Sequence, residues 1–116
     1  MRLTRSESFT LDRRRRGLSQ SEEAALRGVQ RHAYENLEAG HPEHATTLPI
    51  KTPKVSDVKP YERCFLFRRR QHMTQAQLAK AVGMSRVWVV AMEDGTADIS
   101  PLTWYWAKQH DHTTGP

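Results

Sequence analysis

The sequence has very little cysteine and no long apolar run. Of its 116 residues only Cys64 is a cysteine, so an internal disulfide cannot form and a disulfide-stapled fold is excluded. The apolar neighbours of Cys64, residues 65–67, predict that this side chain is buried in a protein of the reducing cytoplasm. No stretch approaches the roughly 20 apolar residues that span a bilayer, and the N-terminus lacks the apolar core of a signal peptide. We therefore expect neither secretion nor membrane insertion.

The usual signatures of catalysis and metal binding are also missing. The sequence has no glycine-rich phosphate loop, no nucleophile elbow, and no supported arrangement of serine, histidine and acid. Six histidines are present, but His41 and His44 have no cysteine pair nearby, and His110 and His112 lie in a tail. We expect no enzymatic activity, no cofactor and no structural metal.

What the sequence does have is positive charge. It carries 18 Lys and Arg against 13 Asp and Glu, with a pI near 9.8, and this balance favours a polyanionic partner such as nucleic acid. The excess is uneven, because residues 1–46 hold eight basic and seven acidic side chains while residues 47–116 hold ten and six. The length allows one compact domain or two very small ones.

The chain divides into two similar halves. Residues 47–60 hold three prolines and little apolar periodicity, which predicts an extended linker between a first unit, 1–46, and a second unit, 61–116. Residues 11–40 align with residues 66–95 without a gap, and ten of these thirty pairs are identical at an offset of 55. The pairs are Leu11 and Leu66, Arg13 and Arg68, Arg14 and Arg69, Arg15 and Arg70, Gln20 and Gln75, Ala24 and Ala79, Gly28 and Gly83, Arg31 and Arg86, Glu38 and Glu93, and Gly40 and Gly95. Chance similarity of two basic helical segments is the alternative.

The second half has the pattern of two short helices joined by a glycine turn. Thr74 is a good N-cap for the first helix, and Gly83 can end it because glycine adopts positive φ without steric cost. Ser85 can cap a second helix from Arg86 to about Asp94. Apolar residues at helical spacing predict the packing between them, namely Leu78, Ala79, Val82, Val89 and Met92.

Two flanking helices complete the predicted core of the second half. One runs from Tyr61 to Gln71 and places Cys64 and Phe67 on one face. The other begins at Ser100 and Pro101, a cap followed by proline at the first helical position, and carries apolar residues at 102, 105 and 106.

Residues 73–95, MTQAQLAKAVGMSRVWVVAMEDG, resemble the helix-turn-helix family of lambda-type repressors, Cro proteins and their bacterial relatives. The resemblance covers roughly residues 60–110 and implies five short helices, one of which enters the DNA major groove. It implies DNA contacts at the head of that helix and at Gln75, which would brace the DNA backbone. It places Ser85 and Arg86 at that head, implies base reading by Arg86, Val87 and Ala91, and puts Trp88 near a phosphate. The alternatives are a solvated Arg86, a surface Val87, and a Trp88 that covers the core.

The first half, LSQSEEAALRGVQRHAYENLEAG at residues 18–40, keeps this frame with a weaker core. Charged residues stand where the second half has apolar ones: Asp12 for Phe67, Glu23 for Leu78 and Arg27 for Val82. After Gly40, residues 41–48 give only a poor additional helix. The positions of Arg86, Val87 and Ala91 are taken by Arg31, His32 and Asn36, whose polar side chains suit base edges better. Gln20 takes the place of Gln75.

Two arginine runs lie in the predicted first helix of each half, Arg13 to Arg16 and Arg68 to Arg70. We expect phosphate contacts from Arg13, Arg14, Arg15, Arg68, Arg69 and Arg70. For the first run a loose DNA-binding arm and a localisation-like patch are the alternatives, and part of either run could be solvated.

These observations predict an all-α protein with tandem lambda-repressor-like units of four to five short helices, the first copy being degenerate. The resemblance implies a cytoplasmic, nucleoid-associated regulator that binds an operator in double-stranded DNA, with repression of a phage, mobile-element or autoregulated operon as its default role. Either both copies bind DNA, or one copy docks a protein, as the apolar run 87–92 suggests for the later one. The alternative function is a protein-binding module such as an antitoxin that neutralises a toxin and binds its own operator. Homodimerisation stays open.

Overall fold

The structure is a computed structural model that describes residues 2–40 and 50–109, without the side chains at 102 and 105. Its regular structure in these ranges is entirely α-helical, which confirms the predicted class. The helices are α1 (Arg5–Arg15), α2 (Gln20–Arg27), α3 (Arg31–Ala39), α4 (Pro60–Arg70), α5 (Gln75–Val82), α6 (Arg86–Glu93) and α7 (Pro101–Gln109). The weak helix predicted after Gly40 lies outside the described residues.

The helices group into two compact units, residues 2–56 and residues 57 onward. Helices α1, α2 and α3 of the first unit begin 55 positions before α4, α5 and α6 of the second. The offset found in the sequence is therefore also the offset between the helix starts. In the second unit α7 packs on α4 and α5.

Part of the predicted linker belongs to the first unit. The Arg5 guanidinium donates to the Ile50 carbonyl oxygen (2.8 Å) and to the Thr52 hydroxyl (3.0 Å). Arg15 donates to the carbonyl oxygen of Ser56 (2.8 Å), and the Ile50 side chain packs on the apolar core of that unit. Residues 50–56 thus contact the first unit, because the basic side chains of α1 satisfy their backbone carbonyls, and only residues 57–59 precede α4.

Local capping signals explain where the central helices begin and end. Thr74 and Gln77 form a reciprocal capping box at the start of α5 (3.1 and 2.8 Å), and the Ser85 hydroxyl accepts from the Trp88 N–H at the start of α6 (3.1 Å). Gly83 ends α5 at φ 71°, and Gly28 ends α2 at φ 69°. The predicted caps and the predicted glycine stop are confirmed.

The second unit has the apolar core that its sequence predicts. Its central cluster is buried between α5 and α6 and consists of Leu78, Ala79, Val82, Val89 and Met92. A second cluster joins α4 to α7 through Cys64, Phe67 and Ala107. Burial raises the pKa of the Cys64 thiol to about 12, so the thiol stays protonated and unreactive near neutral pH. The predicted burial of this cysteine is confirmed.

The first unit has a smaller apolar core, made of Phe9, Ala24, Tyr34 and Leu37. The carboxylate of Glu23, a residue that is only 2% exposed, lies beside this core. Arg27 binds this carboxylate through its Nε (2.9 Å) and Arg16 binds it through Nη2, while Arg16 also pairs with Asp12 (2.8 Å). An ionic cluster therefore occupies the positions where the second unit has Phe67, Gln71, Leu78 and Val82.

Candidate nucleic-acid interface

Helices α3 and α6 each begin with an exposed turn. Arg31 and His32 are exposed at the head of α3, and Arg86 and Val87 are exposed at the head of α6. Val87 has 79% of its surface in solvent, a large value for an aliphatic side chain. Each head follows a tight turn, in which the N–H of Val29 donates to the Ala24 carbonyl (3.0 Å) and that of Met84 to the Ala79 carbonyl (2.8 Å).

The two helices bury equivalent positions. In α3 the buried residues are Tyr34, Leu37 and Glu38, and in α6 they are Val89, Met92 and Glu93, each 55 positions later. The same side of each helix therefore faces its own unit. The first turn of each helix lies in solvent, with Arg31 and His32 exposed in α3 and Arg86 and Val87 exposed in α6.

A buried ion pair holds α6 to α4 in the second unit. Glu93 is 1% exposed and accepts two hydrogen bonds from the Arg68 guanidinium, at Oε2 (2.6 Å) and Oε1 (3.0 Å). The third guanidinium nitrogen of Arg68 donates to the Met73 carbonyl oxygen (2.8 Å), and the Gln75 amide donates to Glu93 Oε1 (3.1 Å). We call this arrangement of arginine, glutamate and glutamine the clamp, and it ties α4, the start of α5 and the end of α6 together.

The first unit contains the same clamp. Arg13 donates to both carboxylate oxygens of Glu38 (2.7 and 2.9 Å) and to the Leu18 carbonyl oxygen (2.8 Å). The Gln20 amide donates to Glu38 Oε1 (3.1 Å). Every atom pair of the second clamp thus recurs 55 positions earlier, so the two units fix the C-terminal ends of α3 and α6 in the same way.

The clamp gives Arg13 and Arg68 a structural role that the sequence did not predict. Each guanidinium donates to a buried glutamate and to a backbone carbonyl, and the predicted phosphate contacts of these two arginines stay predictions. A buried charge requires such a partner, because an unpaired ion away from water is strongly destabilised. Gln20 and Gln75 are half-buried parts of the clamp, so one amide N–H of each is directed inward.

The remaining arginines of the two runs are placed unevenly. Arg15 is exposed and donates to the Ser56 carbonyl, and Arg14 is half-buried. Arg69 is half-buried with its guanidinium 5.5 Å from the centre of the Phe65 ring, and Arg70 is half-buried. All four interact with other groups of the chain, so their predicted phosphate contacts stay predictions.

Arg31 at the head of α3 and Arg86 at the head of α6 differ in their surroundings. Arg31 pairs with Glu35 one turn later (2.7 Å), at side-chain exposures of 70% and 36%. Val90 stands at the corresponding position of α6, and Arg86 has no ion pair or hydrogen bond within the described residues. An ion pair in water is worth about 0.2–1 kcal/mol, so Glu35 restrains Arg31 only weakly.

The other predicted contact positions lie on the same two helices. Ser85 is exposed and caps α6, and Trp88 is 38% exposed and lies outside the Leu78 and Cys64 clusters of the described residues. Asn36 and Ala91 are half-buried at equivalent positions. The structure therefore groups Arg31, His32 and Asn36 on α3, and Ser85, Arg86, Val87, Trp88 and Ala91 at or on α6.

Two residues of the clamps had no role assigned from the sequence, namely Glu38 and Glu93. The sequence marked them only as an identical pair in the repeat, and a glutamate is almost never fully buried unless it has a partner. An acidic residue on a core-facing helix position, repeated together with an arginine and a glutamine, was the available signal. Glu23 had the opposite signal, a charge in only one copy, and it is buried as well.

The clamp predicts a pH dependence for the first unit. Burial opposes the charged form of Glu38, but the hydrogen bonds from Arg13 and Gln20 outweigh it, so the net effect is a pKa below the ordinary 4.5. A depressed folded-state pKa contributes stability that is present above about pH 4.5 and is lost as the pH falls through the folded pKa. An NMR titration of the Glu38 carboxyl carbon should therefore give a midpoint below 4.5, and a midpoint at or above 4.5 would contradict the clamp.

The described part of the chain has no helix that is long and apolar enough to cross a membrane. It also contains no group of three or more histidine, cysteine, aspartate or glutamate side chains placed to hold a metal ion.

A scan against protein-family models, a search of curated proteins and a search of solved structures each found no match to this chain.

Proposed function

We propose that this protein binds double-stranded DNA in a sequence-specific way and regulates transcription, with α3 and α6 as the helices that enter the major groove. The observation that carries the proposal is the repeated clamp, which holds a short helix across a tight turn and leaves an exposed arginine at its head in both units. A groove-reading helix requires this combination of a fixed axis and accessible side chains at its first turn.

The exposed side chains have the chemistry that base edges require. An arginine can donate two hydrogen bonds to O6 and N7 of guanine, an asparagine can pair with N6 and N7 of adenine, and an aliphatic side chain can contact the thymine methyl. Arg31, Arg86, Asn36 and Val87 provide these groups. The Trp88 indole N–H and the Ser85 hydroxyl can donate to phosphate oxygens, which position a protein on the duplex.

The net positive charge supports the same proposal. With 18 basic and 13 acidic residues, the chain should attract the DNA backbone and release counterions on binding. In this proposal the protein acts at the nucleoid, as a non-catalytic repressor of a phage, mobile-element or autoregulated operon.

A titration of duplex DNA over a salt series tests the proposal. The wild-type protein should bind, and its affinity should fall steeply between 50 and 200 mM salt, because each phosphate contact releases a counterion. The double change Arg31→Ala and Arg86→Ala should weaken binding to the preferred sequence by about 5- to 150-fold for each arginine, which corresponds to about 1–3 kcal/mol per bidentate contact.

Lys51→Ala with Lys54→Ala is the matched control, because both lysines are exposed and the net charge also falls by two. This control should change affinity far less than the arginine pair does. Equal losses for the two double variants would indicate general charge attraction without reading by α3 and α6, and no duplex binding at low salt would contradict the proposal.

A second candidate function is a protein-docking module of the antitoxin type. The observation in its favour is the apolar exposure of α6, where Val87 is 79% and Trp88 is 38% in solvent. A docking module of this kind would bind a partner in a nearly salt-independent way and would lose that binding on Val87→Asp, whereas Arg86→Ala would leave it unchanged.

A further inference from the structure

The two units differ in the side chains that they expose and agree in those that they bury. Seven of the ten identical pairs have structural roles: two are buried apolar pairs, three form the clamps, and two are glycines with positive φ. In the alignment of α3 with α6 the first arginines are identical. His32 is aligned with Val87, Glu35 with Val90 and Asn36 with Ala91. The frame is therefore duplicated, while the reading surface is not.

These differences change which bases each unit can recognise. The α3 surface is polar and combines a guanidinium that is paired with the Glu35 carboxylate, an imidazole and a carboxamide. The guanidinium and the carboxamide can pair with guanine and adenine in the major groove. The α6 surface offers one guanidinium and an aliphatic side chain, which suit a guanine next to a thymine methyl. Two equal half-sites would leave the polar groups of α3 or the exposed Val87 of α6 without a suitable contact.

We infer that one molecule of this protein reads a composite, non-palindromic duplex site, in which α3 recognises a half-site of guanine and adenine and α6 recognises a different half-site of guanine and thymine. The inference rests on the proposed function. A symmetric dimer of identical chains requires a palindromic operator, because its two-fold axis repeats the same reading surface. Here one covalent chain carries two unlike reading surfaces, so one protein molecule suffices for a site with two unlike half-sites.

The connection between the units adds a requirement on spacing. Only residues 57–59 lie between the segment that contacts the first unit and the start of α4, and a short connection restricts the separations that two linked modules can bridge. The two half-sites should therefore occur at one preferred spacing, and an insertion of five base pairs between them, about half a helical turn, should weaken binding at least 10-fold.

Selection of bound sequences from a random duplex library tests the inference with the full chain. The selected site should contain two unlike blocks, and native mass spectrometry should show one protein per duplex. Arg31→Ala should remove the base preference of one block only, and Arg86→Ala should remove that of the other. Both arginines are exposed, so circular dichroism should show unchanged helix content for both variants.

A substitution in the DNA examines the thymine contact itself. Replacing thymine by uracil in the α6 half-site removes one methyl group and should weaken wild-type binding about 4-fold, as expected for one buried carbon. The Val87→Ala protein should show a smaller difference, because alanine has less apolar surface for the thymine methyl, and thymine replacement in the α3 half-site should have no effect on either protein.

The outcomes separate the inference from the proposed function. A palindromic selected site bound by two chains, or two variants that erase the same block, would overturn the inference and leave sequence-specific DNA binding intact. No enrichment of any duplex from the library would overturn both. Two unlike blocks with a 1:1 complex and separate effects of the two variants would support the inference.

Discussion

Replacing Glu93 by alanine is expected to lower the free energy of unfolding of the second unit by about 3–5 kcal/mol. The change leaves the Arg68 guanidinium, in a residue only 9% exposed, without its carboxylate, and an uncompensated buried charge has a cost of that order. A unit of this size has a total stability of only about 3–5 kcal/mol. The variant should therefore be largely unfolded in the second unit at 25 °C.

Urea unfolding followed by tryptophan fluorescence measures this effect selectively, because all three tryptophans, Trp88, Trp104 and Trp106, lie in the second unit. Asp98→Ala removes an exposed carboxylate from the same unit and should stay within about 0.5 kcal/mol of the wild type. A loss below 1 kcal/mol for Glu93→Ala would mean that the clamp does not hold α6 in place.

Copying the ionic cluster into the second unit is expected to have an effect at least as large. The double change Leu78→Glu and Val82→Arg places a carboxylate in a core where Leu78 is fully buried. Loss of two apolar side chains and burial of a charge with one arginine partner should together cost more than about 4 kcal/mol. Phe67 and Gln71 stand where the first unit has Asp12 and Arg16. The introduced carboxylate therefore lacks the second arginine that binds Glu23 in the first unit.

The reverse exchange should stabilise the first unit. Glu23→Leu with Arg27→Val replaces a buried ion pair by the apolar pair of the second unit, and such replacements are often stabilising by about 1–4 kcal/mol. We expect the lower part of that range, about 1–2 kcal/mol. In the wild-type protein Arg16 and Arg27 are 39% and 23% exposed, so the ion pair is only partly removed from water, and the replacement also loses the contact of Arg27 with the Phe9 ring. Chemical unfolding followed by far-UV circular dichroism measures both exchanges. Destabilisation of the first unit by the reverse exchange would show that its ionic cluster is the better core.

The fold of this protein was largely predictable because its signals are local. Caps such as Thr74 and Ser85, the positive-φ position of Gly83, and the apolar spacing in α5 and α6 are all properties of short segments. The offset of 55 then transferred the helix positions from the well-defined second half to the degenerate first half. Identical helix starts in the two units follow from this shared local pattern.

The clamp was not predictable because its partners are distant in the sequence. Arg68 and Glu93 are 25 positions apart, and nothing in a basic run distinguishes an arginine that points inward from its exposed neighbours. The sequence therefore placed Arg13 and Arg68 among the phosphate contacts, whereas their positions on the buried side of α1 and α4 give them a structural partner. The contacts of residues 50–56 escaped prediction for a similar reason, since prolines indicate an absence of helix and not an absence of tertiary contacts.

We propose that the heads of α3 and α6 form the surface that contacts DNA. An NMR titration of the ¹⁵N-labelled full chain with its selected duplex tests this most directly. We expect the largest chemical-shift changes at the first turns of both helices, at Arg31, His32, Arg86 and Val87. The exposed C-terminal end of α7, at Lys108 and Gln109, should change little. Shifts concentrated on α7, with the heads of α3 and α6 unchanged at saturation, would contradict it.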